Sequence, residues 1–378
     1  MGTASKIFFL VLSLVFLTVL PIIVPISSEA VSGNTWVEKT PMPNGYAYGA
    51  VTINGEIYTI GSNFTYLYKP LTDTWVSKTP MPKINDGGFA TVNYQNKIYV
   101  FGGVNGKDPN NGYSIPTGTS EVYNPATDTW ESIASMPTPR GCLQANVVSG
   151  KIYLISGGLE NINTSPVPSN ANEAYDPSSN SWTKMAPIQT PVEYYASGVV
   201  DNKIFVIGGM ANTSSGGDLT QIYNSETNTW SYGQPPPFGF IGAQAGVTTG
   251  VWAPTRIYVP SVTQVYDPQT NSWTNITTPI RSGGLVAVVN DTLYLMQGAF
   301  TSTQIFGAAQ VTVNGFNEQY FPLGYQDLTP SLSQFSTVKP PNTKMEPLPT
   351  VTIIAVVIPA VLVGAGALVY FRKRKGKI

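Results

Sequence analysis

Five stretches of this chain set a short polar turn between two apolar runs of strand length. They are VTINGEIYTI (51–60), VNYQNKIYVFGG (92–103), VVSGKIYLISGG (147–158), VVDNKIFVIGG (199–209) and LVAVVNDTLYLMQG (285–298). Val, Ile and Tyr favour a pleated, half-buried surface, so each stretch predicts a β-hairpin. Asn54-Gly55 suits a type I′ turn, whose two central residues need positive φ. A sixth stretch, 243–259, keeps the apolar runs but ends on Val259-Pro260 instead of paired glycines and carries Trp252 by its turn. Trp252 is expected to pack locally.

A second pattern follows each hairpin. It reads YLYKPLTDTW (66–75), EVYNPATDTW (121–130), EAYDPSSNSW (173–182), QIYNSETNTW (221–230) and QVYDPQTNSW (264–273). Each copy predicts one strand bearing Tyr, a turn, and a second strand opened by Trp. A stretch used this often is architecture before it is a site. The repeated tryptophans accordingly read as packing residues and not as a ligand cage.

The two ends differ from this alternation. After Lys6 comes the charge-free run IFFLVLSLVFLTVLPIIVPI, closed by the small residues Ser28 and Ala30, which predicts a secretory signal peptide over residues 1–30. At the other end TVTIIAVVIPAVLVGAGALVYF spans 350–371 without a charge, long enough as a helix to cross ~30 Å of hydrocarbon. The basic tail 372–378 follows it, so the span reads as a transmembrane helix with everything ahead of it outside the cytoplasm. A Pro/Ser/Thr-rich stalk is expected over 326–349. The outside segment holds five N-x-S/T triplets, at Asn63, Asn163, Asn212, Asn275 and Asn290, which are candidates for glycosylation.

Composition narrows the chemistry. The formal net charge is −1, but residues 31–349 hold 14 Lys/Arg against 20 Asp/Glu, so 14 − 20 = −6 for that segment. Without a basic stripe it is no partner for nucleic acid. There is no histidine and a single cysteine, Cys142. A His-based triad, a His-ligated zinc or copper centre and an intrachain disulfide are therefore excluded. Cys142 reads as a buried filler, and no cofactor or metal is expected.

The succession IYVFGG, EVYNPATDTW, SMPTPR closely resembles the kelch repeat, the blade of a β-propeller, over about residues 34–325. The resemblance implies an all-β fold, a six-bladed kelch β-propeller within residues 31–325. Asn34-Thr35-Trp36 supplies a Trp-led strand with no hairpin before it, and Glu318-Gln319-Tyr320-Phe321-Pro322 supplies a Tyr strand with no Trp after it. The N-terminal strand is thus expected to complete the last blade, which closes the ring and removes exposed sheet edges.

In such a fold the loops between blades and those joining the second and third strands share one face around the channel, where function concentrates. The candidate ligand-binding residues there are Asp86, Tyr113, Arg140, Glu193, Tyr194 and Arg281. Two readings stay open. Sparse arginines, carboxylates and tyrosines could hold a sugar or an acidic peptide, or the arginine after M-P-x-P could brace neighbouring loops. The first functional expectation is a membrane-anchored recognition module for a cell-surface protein or glycan. The alternatives are a carbohydrate-active enzyme similar to the sialic acid mutarotases, with Glu193 and Arg140 as its pair, or a structural surface component. Galactose oxidase is similar in the propeller alone, since its copper site needs histidines.

Overall fold

The computed structural model describes residues 33–82, 86–110, 114–159, 167–212, 216–281, 283–302 and 311–326. The expected signal peptide, span, tail and nearly all of the stalk lie outside them. Among the described residues no helix is long and apolar enough to cross a membrane.

Six four-stranded antiparallel sheets follow the repeat in chain order. Blade 1 is Ala47–Ile53, Glu56–Gly61, Thr65–Lys69 and Thr74–Lys78. Blades 2, 3, 4 and 5 open with the inner strands Ala90–Tyr94, Gln144–Val148, Ala196–Val200 and Gly246–Val247. Blade 6 takes Leu285–Val289, Thr292–Gln297 and Phe316–Phe321 from the end of the ring, and its outer strand is Thr35–Glu38. Trp36 lies opposite Tyr320 in register, which is the closure expected from the unpaired half-repeats. The inner strands touch one another in cyclic order, with blade 6 against blade 1, so the ring is complete.

Local chemistry sets the hairpins. Asn54-Gly55, Gln95-Asn96, Ser149-Gly150, Asp201-Asn202 and Asn290-Asp291 all have both central residues at positive φ, as a type I′ turn requires. Small or amide-bearing residues tolerate this left-handed region best. Two segments expected as plain loops pair further, Val104–Lys107 with Ser114–Pro116 and Phe300–Ser302 with Val311–Val313.

The outer turn explains the repetition. The residue two before each Trp is Asn34, Asp73, Asp128, Asn180, Asn228 or Asn271, and every one has positive φ. Its Oδ1 accepts from the Tyr hydroxyl of the same blade, at 2.7 Å for Tyr175 to Asn180 and for Tyr223 to Asn228. The same Oδ1 accepts from one backbone N–H of the preceding blade, that of Thr277, Thr40, Thr79, Ala134, Ala186 or Gln234, at 2.7–3.0 Å. The indole Nε1 of the Trp then donates to the carbonyl of that same residue at 2.9–3.0 Å. Tyr and Trp rings stack beside this clamp with centroids 4.8–5.1 Å apart. Each blade therefore grips both polar groups of one residue on its neighbour, six times around.

Blade 5 breaks the pattern at its inner turn. There the buried carboxylate of Asp291, from blade 6, accepts from the N–H groups of Thr249, Val251, Trp252 and Ala253 and from the Thr249 hydroxyl at 2.6–3.1 Å. Trp252 stacks on Tyr325 at 6.2 Å, the local packing expected of it. Burial alone would raise the Asp291 carboxyl, but these donors together hold it below its ordinary value.

Two of the six clamps use carboxylates. At Asp128 the Tyr123 hydroxyl and then the Thr79 N–H hold the carboxyl down; at Asp73 burial pushes it up, but the bonds from Tyr68 and Thr40 outweigh burial. A lowered native pKa stabilises fully above the unfolded value and is lost as pH falls through the native one. Changing Asp73 and Asp128 together to Asn, the residue of the other four clamps, should leave the midpoint of unfolding near neutral pH unchanged and reduce its fall between about pH 5 and pH 3. Asn228→Ala should instead destabilise by ~2 kcal/mol, because two donors lose their acceptor. Thermal unfolding of the full chain reads both.

Candidate functional site

The entry to each inner strand forms the rim of the channel on the face that carries the long loops. Counting back from the inner strands, Gly88, Cys142, Tyr194, Gly242 and Gly283 occupy one repeat position in blades 2 to 6, all at positive φ. They form a chain from blade to blade: Cys142 N–H donates to Gly88 C=O at 2.6 Å, Tyr194 N–H to Cys142 C=O at 2.9 Å, and Gly242 N–H to Tyr194 C=O at 2.8 Å. Glycine is free in this conformation, whereas an L side chain costs ~1 kcal/mol there. Cys142 and Tyr194 carry side chains at φ 56° all the same. Strain of this kind is a pointer to function.

The position one residue earlier is Gly87, Gly141, Glu193 or Ile241 in blades 2 to 5. Its backbone bridges the loop between the second and third strands, as Gly87 to Val104, Gly141 to Gly158 and Glu193 to Met210. Glu193 is 5% exposed, yet its carboxylate takes no ion pair or hydrogen bond from the described residues. It lies flat on blade 3, where a Cβ on Gly158 would fall 2.1 Å from Oε2. Only glycine at 158 admits the carboxylate. Burial pushes Glu193 up to about 7.

Around it stand groups that resist ionisation. The Cys142 thiol is pushed up to about 12, chiefly by burial, with the charge of Glu193 adding to it. The Tyr194 phenol is raised by burial first and then by Cys142, Glu193 and Tyr46. Tyr46 is 45% exposed and its ring lies 4.8 Å from that of Tyr48, which packs on Phe89 at 5.4 Å. A carboxyl, a thiol and two phenols thus lie along the rim, and burial is the first cause that opposes charge on each of them.

The other expected residues fall elsewhere. Arg140 is a correction: its side chain is wholly buried inside blade 3 and closed to any ligand. Its NH1 donates to Glu173 Oε2 at 2.6 Å and Thr138 C=O at 2.8 Å, its Nε to Ser156 C=O at 2.7 Å and its NH2 to Leu154 C=O at 2.9 Å. It braces the entry loop onto strand two and pairs with Glu173, so the expected pair with Glu193 does not form. Arg281 stands at the matching position of blade 6, facing Glu318 at 3.6 Å and Glu38 at 3.3 Å while half-exposed. Asp86 is exposed, but its Oδ2 accepts from Gly106 N–H at 2.6 Å and latches the blade 2 loop. Tyr113 and Asn163 lie outside the described residues. Asn63, Asn212, Asn275 and Asn290 are all exposed. Sequence reasoning chose Glu193 and Tyr194 but missed Tyr46 and the placement of Cys142 beside them. The available signal was the loss of glycine at equivalent repeat positions.

Fold and rim together define a closed propeller with one irregular face. Comparison with known proteins gives the family. The KLHDC2/KLHL20/DRC7 Kelch-repeats domain matches residues 46–260, more than half of the chain. This chain belongs to the kelch-repeat family. Similar proteins include the human Kelch repeat and BTB domain-containing protein 12, 25% identical over 182 residues, 45% of this chain and 29% of that protein. The Putative F-box/kelch-repeat protein At1g27420 of Arabidopsis thaliana is 28% identical over 193 residues, 50% of this chain and 52% of its own length. The chain therefore covers about half or less of these relatives. The solved structure of YjhT is similar in fold, with a TM-score of 0.57 at 17% identity over 73% of this chain and 95% of that one.

Two outcomes test the geometry. A raised native pKa weakens the fold as pH rises from the unfolded value through the native one, so Glu193 costs stability progressively from about pH 4 to pH 7. Glu193→Gln should be indistinguishable from the parent near pH 4 and more stable by ~2 kcal/mol at pH 8, read by thermal unfolding at both values. Arg140→Met should destabilise by ~3 kcal/mol or more in urea unfolding, because it strands the Glu173 carboxylate in the core.

Proposed function

We infer that this chain is a membrane-anchored, extracytoplasmic recognition module whose rim face binds a protein partner. The observation that carries the reading is the difference between the two kinds of surface. The clamps are uniform, whereas the rim alone replaces repeat glycines with Glu193, Tyr194 and Cys142. It also exposes Ile241 and Ile280, apolar side chains on entry loops, and the half-exposed ring of Tyr46. Loops on a rigid scaffold are where binding residues concentrate. The kelch-repeat relatives support a module of this type, and nothing on the rim requires a chemical step.

Anchoring rests on the apolar run 350–371 followed by the basic tail, and export rests on residues 1–30. Glycosylation of the exposed Asn63, Asn212, Asn275 and Asn290 is compatible with that location. A glycan is the second ligand class, favoured by the exposed ring of Tyr46 beside Tyr48, which offers a stacking surface for a sugar.

The test is proximity cross-linking on intact cells that express the full chain. Ile241→Asp, on the exposed entry loop of blade 5, should abolish the cross-linked partner, while a substitution at Leu71, fully exposed in the turn between the outer strands of blade 1, should leave it. Equal capture by both variants refutes the rim as the binding surface. Retention on a glycan array that survives Ile241→Asp but is lost with Tyr46→Ala would replace the protein reading with the glycan one.

A further inference from the structure

We propose that the channel mouth is a socket for an alkylammonium group, the side chain of a lysine on the partner, with the Glu193 carboxylate as its counter-ion. This rests on the reading of the rim as a protein-binding face and names what anchors the partner there.

The first support is an imbalance of charge inside a built site. Glu193 is buried as a residue, and no hydrogen-bond donor or cation among the described residues reaches its carboxylate. Carboxylates in such places ordinarily have partners, and one without a partner is a seat for a donor from outside the fold. The arginine one would expect beside it is committed to Glu173 inside blade 3. Its neighbours Cys142 and Tyr194 carry no positive charge and cannot serve as its counter-ion. A cation entering the mouth would supply the counter-ion that the described residues leave out.

The second support is shape. Gly158 withdraws its side chain where a Cβ would strike Oε2, so the carboxylate is held in place by close approach of backbone. Tyr194 and Cys142 hold strained backbone at φ 56° in a position that is otherwise glycine. That strain keeps a phenol and a thiol at the mouth instead of bare backbone. The half-exposed ring of Tyr46 adds a face over which a cation is attracted.

The size of the charge follows from the acceptors. A guanidinium brings five donors in a planar fork and needs a matching set of oxygens. One carboxylate among aromatic and sulfur surfaces suits the compact ammonium, whose methylene stem can lie along the rings. A divalent metal is not favoured, since no group of three or more acidic or thiol side chains converges among the described residues.

The test uses the full chain in detergent and three capped pentapeptides, Gly-Gly-Lys-Gly-Gly, its Nε-acetyl-lysine form and its arginine form. Calorimetric titration at pH 8 should give binding by the lysine peptide with a Kd of about 1 mM or tighter. The acetylated peptide should be at least tenfold weaker. Lysine stays charged throughout, so affinity should fall by up to about tenfold per unit as pH drops below 7 and Glu193 takes up a proton. Glu193→Gln should lose the lysine peptide by at least tenfold while melting no lower than the parent at the same pH. Gly158→Ala, which keeps Glu193 but crowds its seat, should also weaken binding. Equal affinity for the acetylated peptide, preference for arginine, or full binding by Glu193→Gln overturns the proposal. If Ile241→Asp still abolishes the cellular partner while Glu193→Gln does not, the rim remains the binding face and the socket alone is refuted.

Discussion

The structure depends on a clamp made of two side chains and one peptide. In each blade an Asn or Asp held at positive φ and a Trp two residues later take both hydrogen-bonding groups of a single residue on the blade before. Such a residue has just left a strand and would otherwise expose an unpaired N–H and C=O. The clamp satisfies both and fixes the angle between neighbouring sheets. Because the same angle is repeated six times, closure needs no special device. Blade 6 is clamped through Asn34 and Trp36 in the same way as the others, although its clamp lies at the opposite end of the chain.

This uniformity is what makes departures informative. Blade 5 has an inner strand of only two residues, Gly246 and Val247, and its turn is held by the Asp291 carboxylate of the next blade. That is repair of the scaffold, and it sits with the hairpin turns. On the other face, Arg140 and Glu173 also serve the scaffold, since their partners are backbone carbonyls, the Thr138 hydroxyl and each other. Glu193 is different in kind. It is buried like Arg140, but no described residue pairs with its charge. Two buried ionisable groups on adjacent blades therefore have opposite meanings, and only the presence or absence of partners separates them.

Much of the architecture was legible in the residues. Alternating runs around Asn54-Gly55 and its counterparts report type I′ hairpins because the turn admits few other residues. The half-repeats at Trp36 and Tyr320 report closure because each lacks what the other has. The clamp itself was legible only on one side. Its acceptor and Trp recur, but its target is Thr40, Thr79, Ala134, Ala186, Gln234 or Thr277. Only backbone is gripped at those positions, so side-chain identity is free to drift and leaves no pattern. The site was half legible for a related reason. Glu193 and Tyr194 stand out as charge and ring in a loop, whereas the proximity of Tyr46 and Cys142 is created by ring closure and has no local signature. Arg140 misled because an arginine in a functional loop looks alike whether it faces solvent or strand carbonyls.

The pairing of Trp36 with Tyr320 also dictates an order of events on the ribosome. The strand Thr35–Glu38 is among the earliest parts of the ring to be made, yet its partner is among the last. During synthesis it must wait without that partner while five blades are made behind it. Cooperative sealing of the ring can therefore occur only after the whole array has emerged, and a chain stopped short of Tyr320 keeps two open sheet edges, the kind of surface that templates aggregation.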